Sequence, residues 1–188
     1  MRSSSYAPQT AEALIETIPI SGNLDHFWKD MLELEENGEI IKTRFGTYGL
    51  PEKMGLVVGR FQLTSKGFGF VIPDNKGERP DVFIPPRALG GAMNNDRVMA
   101  RVESSSGGNK PEGEIIRIIT HANNKIVGIF HQSGDFGFVT PDDKRIGQDI
   151  YIMKRHFGGA KTNQKVVAEI TEWPVERRNA EGKIIEIL

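Results

Sequence analysis

Cysteine is absent from this sequence of 188 residues. A disulfide framework and a zinc site with thiolate ligands are therefore excluded. Also missing is any apolar run that approaches the ~20 residues of a membrane-spanning helix, and no signal-peptide core follows the Met-Arg-Ser-Ser-Ser opening. We therefore expect a cytoplasmic protein with no membrane partner.

A strong net charge is missing too, because 24 basic and 25 acidic side chains leave a formal charge of −1. Residues 1–55 carry 5 basic and 9 acidic side chains, residues 56–120 carry 9 and 7, and residues 121–188 carry 10 and 9. A protein that binds nucleic acid through phosphate contacts alone is usually far more basic. Nucleic-acid binding by this chain must therefore depend on base stacking or on parts outside it.

What the sequence does contain is an internal repeat with a period of 68 residues. The run KGFGFV that begins at Lys66 returns in weakened form as DFGFV from Asp135, and DVFI at residues 81–84 returns as DIYI at residues 149–152. Self-similarity at a fixed period means that one structural unit is used twice. We therefore predict two small domains of the same kind behind a different first segment.

Five short segments, separated by glycine, proline and asparagine, make up each copy. Short strands at this spacing with no long helix predict a small barrel, and five of them fit an OB-fold, whose second and third strands face oligonucleotides. The predicted strands lie near residues 56–63, 68–73, 81–84, 97–102 and 113–119, and again near 125–131, 136–140, 149–152, 165–171 and 183–188. We therefore expect a mainly β protein with five-stranded barrels at residues 56–120 and 121–188.

Residues 1–55 do not follow the repeat. Short helices are predicted at residues 10–18 and 25–36, and two short strands at 39–44 and 48–50. The second helix has apolar side chains on one face, at the spacing of an amphipathic helix: Phe27, Met31 and Leu34. This order predicts a small winged-helix-like segment, with a helical cap that only packs on the barrels as the alternative.

Acidic side chains crowd the end of the second predicted helix. Glu33, Glu35, Glu36 and Glu39 stand where phosphate contact requires lysine or arginine. Because these charges repel a duplex, DNA is not an expected partner. Contact with protein, or with RNA at one edge through Lys42 and Arg44, fits this segment better.

Aromatic side chains in the second and third predicted strands give the clearest functional signal. Phe68 and Phe70 are two residues apart, so both rings leave the same face of an extended strand. Phe83 lies between Val82 and Ile84, whose opposite parity makes them the core-facing pair. Rings in this arrangement stack successive bases at ~1 to 3 kcal/mol each with little sequence preference. The pattern recurs at Phe136, Phe138 and Tyr151. An isolated pair is more often core, but the recurrence favours a binding surface.

The runs from Lys66 and Asp81 resemble the two nucleic-acid-contacting motifs of cold-shock domains. The order of features, a winged-helix-like segment ending in YGLPEKM at residues 48–54 and then two cold-shock domains, resembles the amino-terminal part of the bacterial ribonuclease R family. The resemblance covers essentially the whole chain and implies a processive 3′-to-5′ exoribonuclease of structured RNA. It also implies a catalytic RNB domain with Mg²⁺ and an S1 domain, and neither is in these residues. The chain alone is therefore expected to be inactive.

The resemblance implies that this region collects single-stranded 3′ ends of structured RNA, with ribosomal RNA or the ribosome as further candidate partners. The RNA-contacting candidates are Lys66, Phe68, Phe70 and Phe83, then Phe61 and Arg87, and in the second copy Phe136, Phe138, Tyr151, Lys154 and Arg155. Asp135 replaces the lysine that Lys66 supplies, so we expect weaker binding by the second copy unless Lys154, Arg155 and His156 compensate. Pro85 and Met153 stand where many cold-shock domains have a stacking histidine.

No catalytic or metal-binding residue is assigned. Two-metal phosphoryl chemistry needs several convergent carboxylates, and the nearest candidates, Asp142, Asp143 and Asp149, fit turn-forming and solvated roles better. The four histidines lack metal-ligand spacing. Ribonuclease II is the nearest enzymatic alternative. A free-standing tandem cold-shock RNA-binding protein or RNA chaperone also stays open, as does a protein-interaction module with residues 1–55 as its contact surface.

Overall fold

The structure is a computed structural model that describes residues 7–19, 23–75, 77, 79–103, 111–175 and 178–188. Its elements form a small α/β unit followed by two closed five-stranded barrels. The predicted mainly β fold with tandem OB-type barrels is therefore confirmed. No helix in these ranges is long and apolar enough to cross a membrane.

The α/β unit contains β1 (Gln9–Thr10), α1 (Ala11–Thr17), α2 (Leu24–Glu36), β2 (Ile41–Lys42) and β3 (Thr47–Gly49), with strand order β1-β3-β2. Each helix begins at a polar cap, because the Thr10 hydroxyl accepts from the Ala13 N–H and the Asn23 side chain accepts from the Asp25 N–H. Both predicted helices and both predicted strands are present. Strand β1 is an addition, since two exposed residues carry no periodic pattern.

This unit has a hydrophobic core of its own, so it is more than a helical cap. Six buried side chains form that core, with Phe27 and Leu34 packed against it: Ala11, Leu14, Met31, Ile40, Tyr48 and Leu50. The end of α2 is held on the first barrel by Arg97, whose Nη1 donates to the Asn37 carbonyl at 2.5 Å, and by Arg117, whose Nη2 donates to the Glu36 carbonyl at 3.3 Å. Cations at these carbonyls complement the helix dipole.

The two barrels share one topology. Barrel 1 contains β4 (Leu56–Leu63), β5 (Gly69–Pro73), β6 (Val82–Ile84), β7 (Arg97–Glu103) and β8 (Glu112–Thr120), in the order β4-β5-β6-β8-β7. Barrel 2 contains β9 (Lys125–Ser133), β10 (Phe136–Pro141), β11 (Ile150–Met153), β12 (Lys165–Glu172) and β13 (Glu181–Ile187), in the order β10-β11-β13-β12-β9. In each barrel the third and fifth strands pair in parallel and close the sheet.

A buried joint connects the barrels. The Asp96 carboxylate is fully buried and accepts from the Met93 and Ala122 N–H groups, both at 2.9 Å. His121 contacts the same carboxylate through Nδ1 at 3.0 Å, and its ring stacks on Trp173 with the centroids 3.5 Å apart. Met93, from barrel 1, packs in the core of barrel 2. The joint thus combines apolar packing with hydrogen bonds that a buried carboxylate requires.

Candidate nucleic-acid interface

Three phenylalanine rings cluster on the outer face of barrel 1, and we call them the barrel 1 platform: Phe68, Phe70 and Phe83. Their ring centroids lie 5.9 Å (Phe68–Phe70), 5.6 Å (Phe68–Phe83) and 5.8 Å (Phe70–Phe83) apart. Phe70 and Phe83 are directly opposite each other across β5 and β6. All three side chains are half-buried, whereas their neighbours Val82 and Ile84 are buried in the core. The structure therefore brings these three predicted residues together on one surface.

Phe61 does not belong to this surface, and its inclusion among the RNA-contacting candidates is wrong. Its side chain is 0% exposed, because alternate residues of β4 point into the barrel. The ring lies directly beneath the platform, where a Cβ built on Gly69 would clash with Phe61 Cε2. Glycine at position 69 thus lets Phe61 pack against the strand that carries Phe70. Phe61 supports the platform from inside.

Barrel 1 has two candidate cations near its platform, and only one of them is in a salt bridge. Lys66 is exposed in the β4–β5 hairpin, and no salt bridge within the described ranges involves it. The Arg87 side chain is 79% exposed but its Nη2 lies 2.8 Å from Glu112 Oε1. Because Glu112 is the residue opposite Phe83 in the β6–β8 pair, this carboxylate offsets the positive charge at the platform edge.

Barrel 2 arranges its rings as two pairs, which we call the barrel 2 platform. Phe136 and Tyr151 stack with centroids 5.7 Å apart, and Phe138 lies 5.4 Å from the ring of His131. His131 is a residue that the sequence analysis missed. It is opposite Phe138 across β9 and β10, and Gln62 is opposite Phe70 in barrel 1. The sequence signal for His131 was its position in the first strand of barrel 2, directly opposite an outward-facing ring of the second strand.

An ion pair neutralises the charge beside the barrel 2 platform. Lys154 Nζ lies 2.6 Å from Asp135 Oδ1, and this hydrogen bond lowers the pKa of the Asp135 carboxyl below its ordinary value. Lys154 therefore offsets Asp135 rather than adding a free positive charge. The Arg155 Nε donates to His156 Nε2 at 3.3 Å. Asp135 directly precedes Phe136, whereas Lys66 is two residues before Phe68, because the hairpin of barrel 2 is one residue shorter.

Two of the three carboxylates that the sequence analysis considered for metal binding, Asp142 and Asp143, are paired with cations. Asp142 Oδ2 lies 2.7 Å from Lys165 Nζ, and Asp143 pairs with Arg145. Within the part of the chain that the structure describes, no group of three or more His, Asp or Glu side chains is arranged to hold a metal ion. The described carboxylates of these turns therefore do not fit a magnesium site.

Two family models match the barrels. The Ribonuclease B OB domain matches residues 59–118, and the Cold shock domain matches residues 138–188. Ribonuclease R of Thermotoga maritima is 36% identical over 159 residues, which cover 83% of this chain and 21% of that protein. Ribonuclease R of Escherichia coli is 30% identical over 183 residues, which cover 96% of this chain and 22% of that protein. The chain belongs to the ribonuclease R family. It spans about a fifth of the length of these relatives.

Solved structures agree on the fold. Mycoplasma genitalium RNase R in complex with ribose methylated single-stranded RNA aligns with a TM-score of 0.62 and 18% identity over 70% of this chain and 21% of that chain. Yeast Ssd1, a pseudonuclease, aligns with a TM-score of 0.61 and 14% identity over 100% of this chain and 25% of that chain. Membership of the ribonuclease R family does not favour the free-standing cold-shock protein or RNA chaperone.

Proposed function

We propose that this chain is the RNA-binding region of a ribonuclease R-type 3′-to-5′ exoribonuclease and that it recruits single-stranded 3′ ends of structured RNA. The observation that carries the proposal is the three-ring barrel 1 platform, with the exposed Lys66 two residues before Phe68 in the hairpin. Exposed ring faces bind bases that have left a duplex stack, and such stacking is tolerant of sequence. The Mycoplasma genitalium relative was solved in complex with a single-stranded RNA, which supports this ligand class.

Within this function, barrel 1 is the main contact and barrel 2 the weaker one. Each platform has one paired cation, Arg87 with Glu112 and Lys154 with Asp135. Barrel 1 also has three clustered rings and, two residues before Phe68, Lys66, which takes part in no salt bridge of the described residues. Phosphates are attracted less strongly where a carboxylate stands beside the rings. The RNA would then be held by barrel 1 and guided by barrel 2.

The cleavage chemistry belongs, in this proposal, to parts outside these 188 residues. Magnesium-dependent hydrolysis, the choice of structured or ribosomal RNA and any ribosome contact would be properties of the longer enzyme. The chain alone is expected to bind RNA without degrading it. Incubation of labelled RNA with this chain and Mg²⁺ tests that expectation, and shortened products would contradict it.

Binding to a short labelled single-stranded RNA, measured across a salt series beside a duplex of equal length, tests the function. We expect preference for the single strand and a shallow salt dependence, since each neutralised phosphate contributes roughly −0.7 to the log-log slope. A Phe68→Ala variant is the matched control and should bind more weakly. Equal affinity for the duplex, or no binding to the single strand at low salt, would overturn the proposal.

The α/β unit supports a second candidate function, contact with a basic protein segment. Helix α2 exposes an apolar stripe at i, i+4 and i+8, formed by Leu24 (52% exposed), Trp28 (45%) and Leu32 (57%). Glu33 and Glu36 lie on the same helix and are exposed. An apolar stripe with acidic neighbours repels phosphates and complements an amphipathic basic helix.

A designed Lys- and Leu-containing helical peptide is the probe for this second candidate. We expect it to bind the chain and to shift the emission of Trp28, and Leu32→Glu to abolish that binding while leaving RNA affinity unchanged. A poly-Lys peptide of the same charge is the control for charge alone. Equal binding of both peptides, or no effect of Leu32→Glu, would count against a docking stripe.

A further inference from the structure

A cleft of about 310 Å³ lies between the barrels, at the edge of the barrel 1 platform. Its wall includes the Phe70 ring and the polar side chains of Gln62, Ser65 and Asn95 from barrel 1, and Arg145 from barrel 2. A volume of about 300 Å³ is at the lower end of small-ligand sites. The cleft is thus a concave extension of the platform with a cation from the other barrel on its rim.

Arg145 is held in a defined orientation. Its Nε and Nη2 donate to Asp143 Oδ1 at 3.0 Å and Oδ2 at 2.9 Å, a two-point pairing of guanidinium and carboxylate. The same pairing lowers the pKa of the Asp143 carboxyl, so this partner stays ionised at neutral pH. Because Asp143 occupies Nε and Nη2, Nη1 is the donor of Arg145 that a ligand can use, and Asp143 offsets part of its positive charge, as Asp135 does for Lys154. The side chain is 60% exposed, so a ligand can reach it.

The segment that carries Arg145 is anchored on both barrels. Arg145 lies in the short 3₁₀ helix Lys144–Ile146, whose residue Ile146 is buried in the core of barrel 2. On the other side, a Cβ built on Gly147 would come within 2.9 Å of Leu63 Cδ2, so the backbone here lies against barrel 1. The 68-residue period places Gly77 at the matching position of barrel 1. The cation is therefore a feature that barrel 2 alone contributes.

We propose that this cleft binds one nucleotide unit of a single-stranded RNA, with the base against Phe70 and the phosphate on Arg145. This inference rests on the proposed RNA-binding function and adds that barrel 2 completes the binding site of barrel 1. Guanidinium groups suit phosphate because their donors match its oxygens in pairs or singly. Gln62, Ser65 and Asn95 offer amide and hydroxyl groups to the base edge or ribose.

Substitution of Arg145 by alanine tests the inference on the 188-residue chain, with Arg101→Ala as the matched control. Arg101 is an exposed arginine on β7 and is not part of the cleft wall. We expect Arg145→Ala to weaken binding of single-stranded RNA about tenfold and to reduce the log-log salt slope by about 0.7, the contribution of one phosphate. Arg101→Ala should change neither quantity by as much. Circular dichroism verifies that both variants are folded.

A single uncharged methylphosphonate linkage, moved along the RNA, identifies the contact directly. At one position the substitution should weaken binding to the unsubstituted chain but not to Arg145→Ala, because each change removes the same interaction. Penalties that add at every position would overturn the inference. So would equal affinities of Arg145→Ala and Arg101→Ala while Phe68→Ala still weakens binding, a result that leaves the proposed function intact. Failure of Phe68→Ala to weaken binding would instead remove the proposed function and this inference together.

Discussion

The two barrels are alike inside and different outside. Phe61 and Phe130 are both fully buried in the first strand of their barrels, and a Cβ built on Gly69 or Gly137 would clash with those rings. On the outer face, barrel 1 has three clustered rings with the Arg87–Glu112 pair at their edge, whereas barrel 2 has two pairs of rings with the Lys154–Asp135 pair beside them. Duplication has preserved the packing that forms the barrel. The outer surface that we propose binds RNA has changed.

Asp96 and Gln164 occupy matching turns of the two barrels, but Asp96 has a second role. Asp96 accepts from the Met93 N–H in barrel 1, and Gln164 Oε1 accepts from the Lys161 N–H at 2.7 Å at the matching place in barrel 2. Both side chains close the same turn. Asp96 also accepts from the Ala122 N–H and so ties barrel 1 to barrel 2. A charged oxygen pair can accept more hydrogen bonds than one amide oxygen.

The largest expected effect is the loss of stability when the buried phenylalanine of either barrel core is truncated. Phe61→Ala and Phe130→Ala should each destabilise their own barrel by about 3 to 5 kcal/mol, the usual cost of a core Phe→Ala change. Denaturant unfolding, followed by circular dichroism for both barrels and by Trp173 emission for barrel 2, measures the loss. Phe68→Ala is the surface control and should cost much less. A loss of stability as large for Phe68→Ala as for Phe61→Ala would show that the platform is core.

The two barrels should contribute differently to the affinity for single-stranded RNA. Phe68→Ala removes a ring that can stack a base, so the affinity for single-stranded RNA should fall by about 1 to 3 kcal/mol. Phe136→Ala should cause a smaller loss, because Asp135 reduces the attraction of barrel 2 for phosphates. Fluorescence anisotropy of a labelled RNA compares the two variants. Equal losses would mean that the barrels contribute equally, and a larger loss for Phe136→Ala would reverse their ranking.

Removal of the Asp135 charge should make barrel 2 more like barrel 1. Asp135→Asn frees Lys154, so we expect an affinity gain of about two- to threefold and a steeper salt slope. The Phe68→Ala background makes the gain visible because barrel 1 contributes less there. The lowered pKa keeps Asp135 ionised at neutral pH, and the ion pair is lost only as the pH falls through that folded-state value.

Lys154→Ala is the matched control for this prediction. It leaves Asp135 unpaired beside the rings and should weaken RNA binding in the same background. No change in affinity or salt slope for either variant would show that this ion pair lies outside the bound RNA.

The sequence predicts features that depend on periodicity and fails on those that depend on contact between distant segments. The repeat and the parity of Phe68, Phe70 and Phe83 are enough to predict two barrels with one set of rings outside. Parity also places Phe61 inside, but only when β4 is aligned with its partners. A one-residue difference in register changes which face a side chain occupies.

The buried contacts between the barrels and the cleft are the features that the sequence did not predict. Asp96, His121 and Trp173 are spread over the sequence, and their contacts arise only once the barrels are packed. In the sequence Arg145 is an ordinary basic residue, and only the fold places it in the wall of the same cleft as Phe70. Charge, burial and spacing along the chain contain no signal for such pairs. His131 is intermediate, because the strand pairing could have been inferred from the hairpin.

The smallest expected effect concerns His131, the ring that barrel 2 has where barrel 1 has Gln62. His131→Gln removes one partner of Phe138 and makes this position of the two barrels identical, so RNA affinity should fall about twofold, in line with the modest worth of one aromatic pair. The Phe68→Ala background again isolates barrel 2, and Gln62→His in barrel 1 is the reciprocal variant, with a gain of similar size expected. If neither exchange alters affinity, the first-strand position does not contact RNA, and the difference between the barrels lies in the Phe68 and Asp135 regions alone.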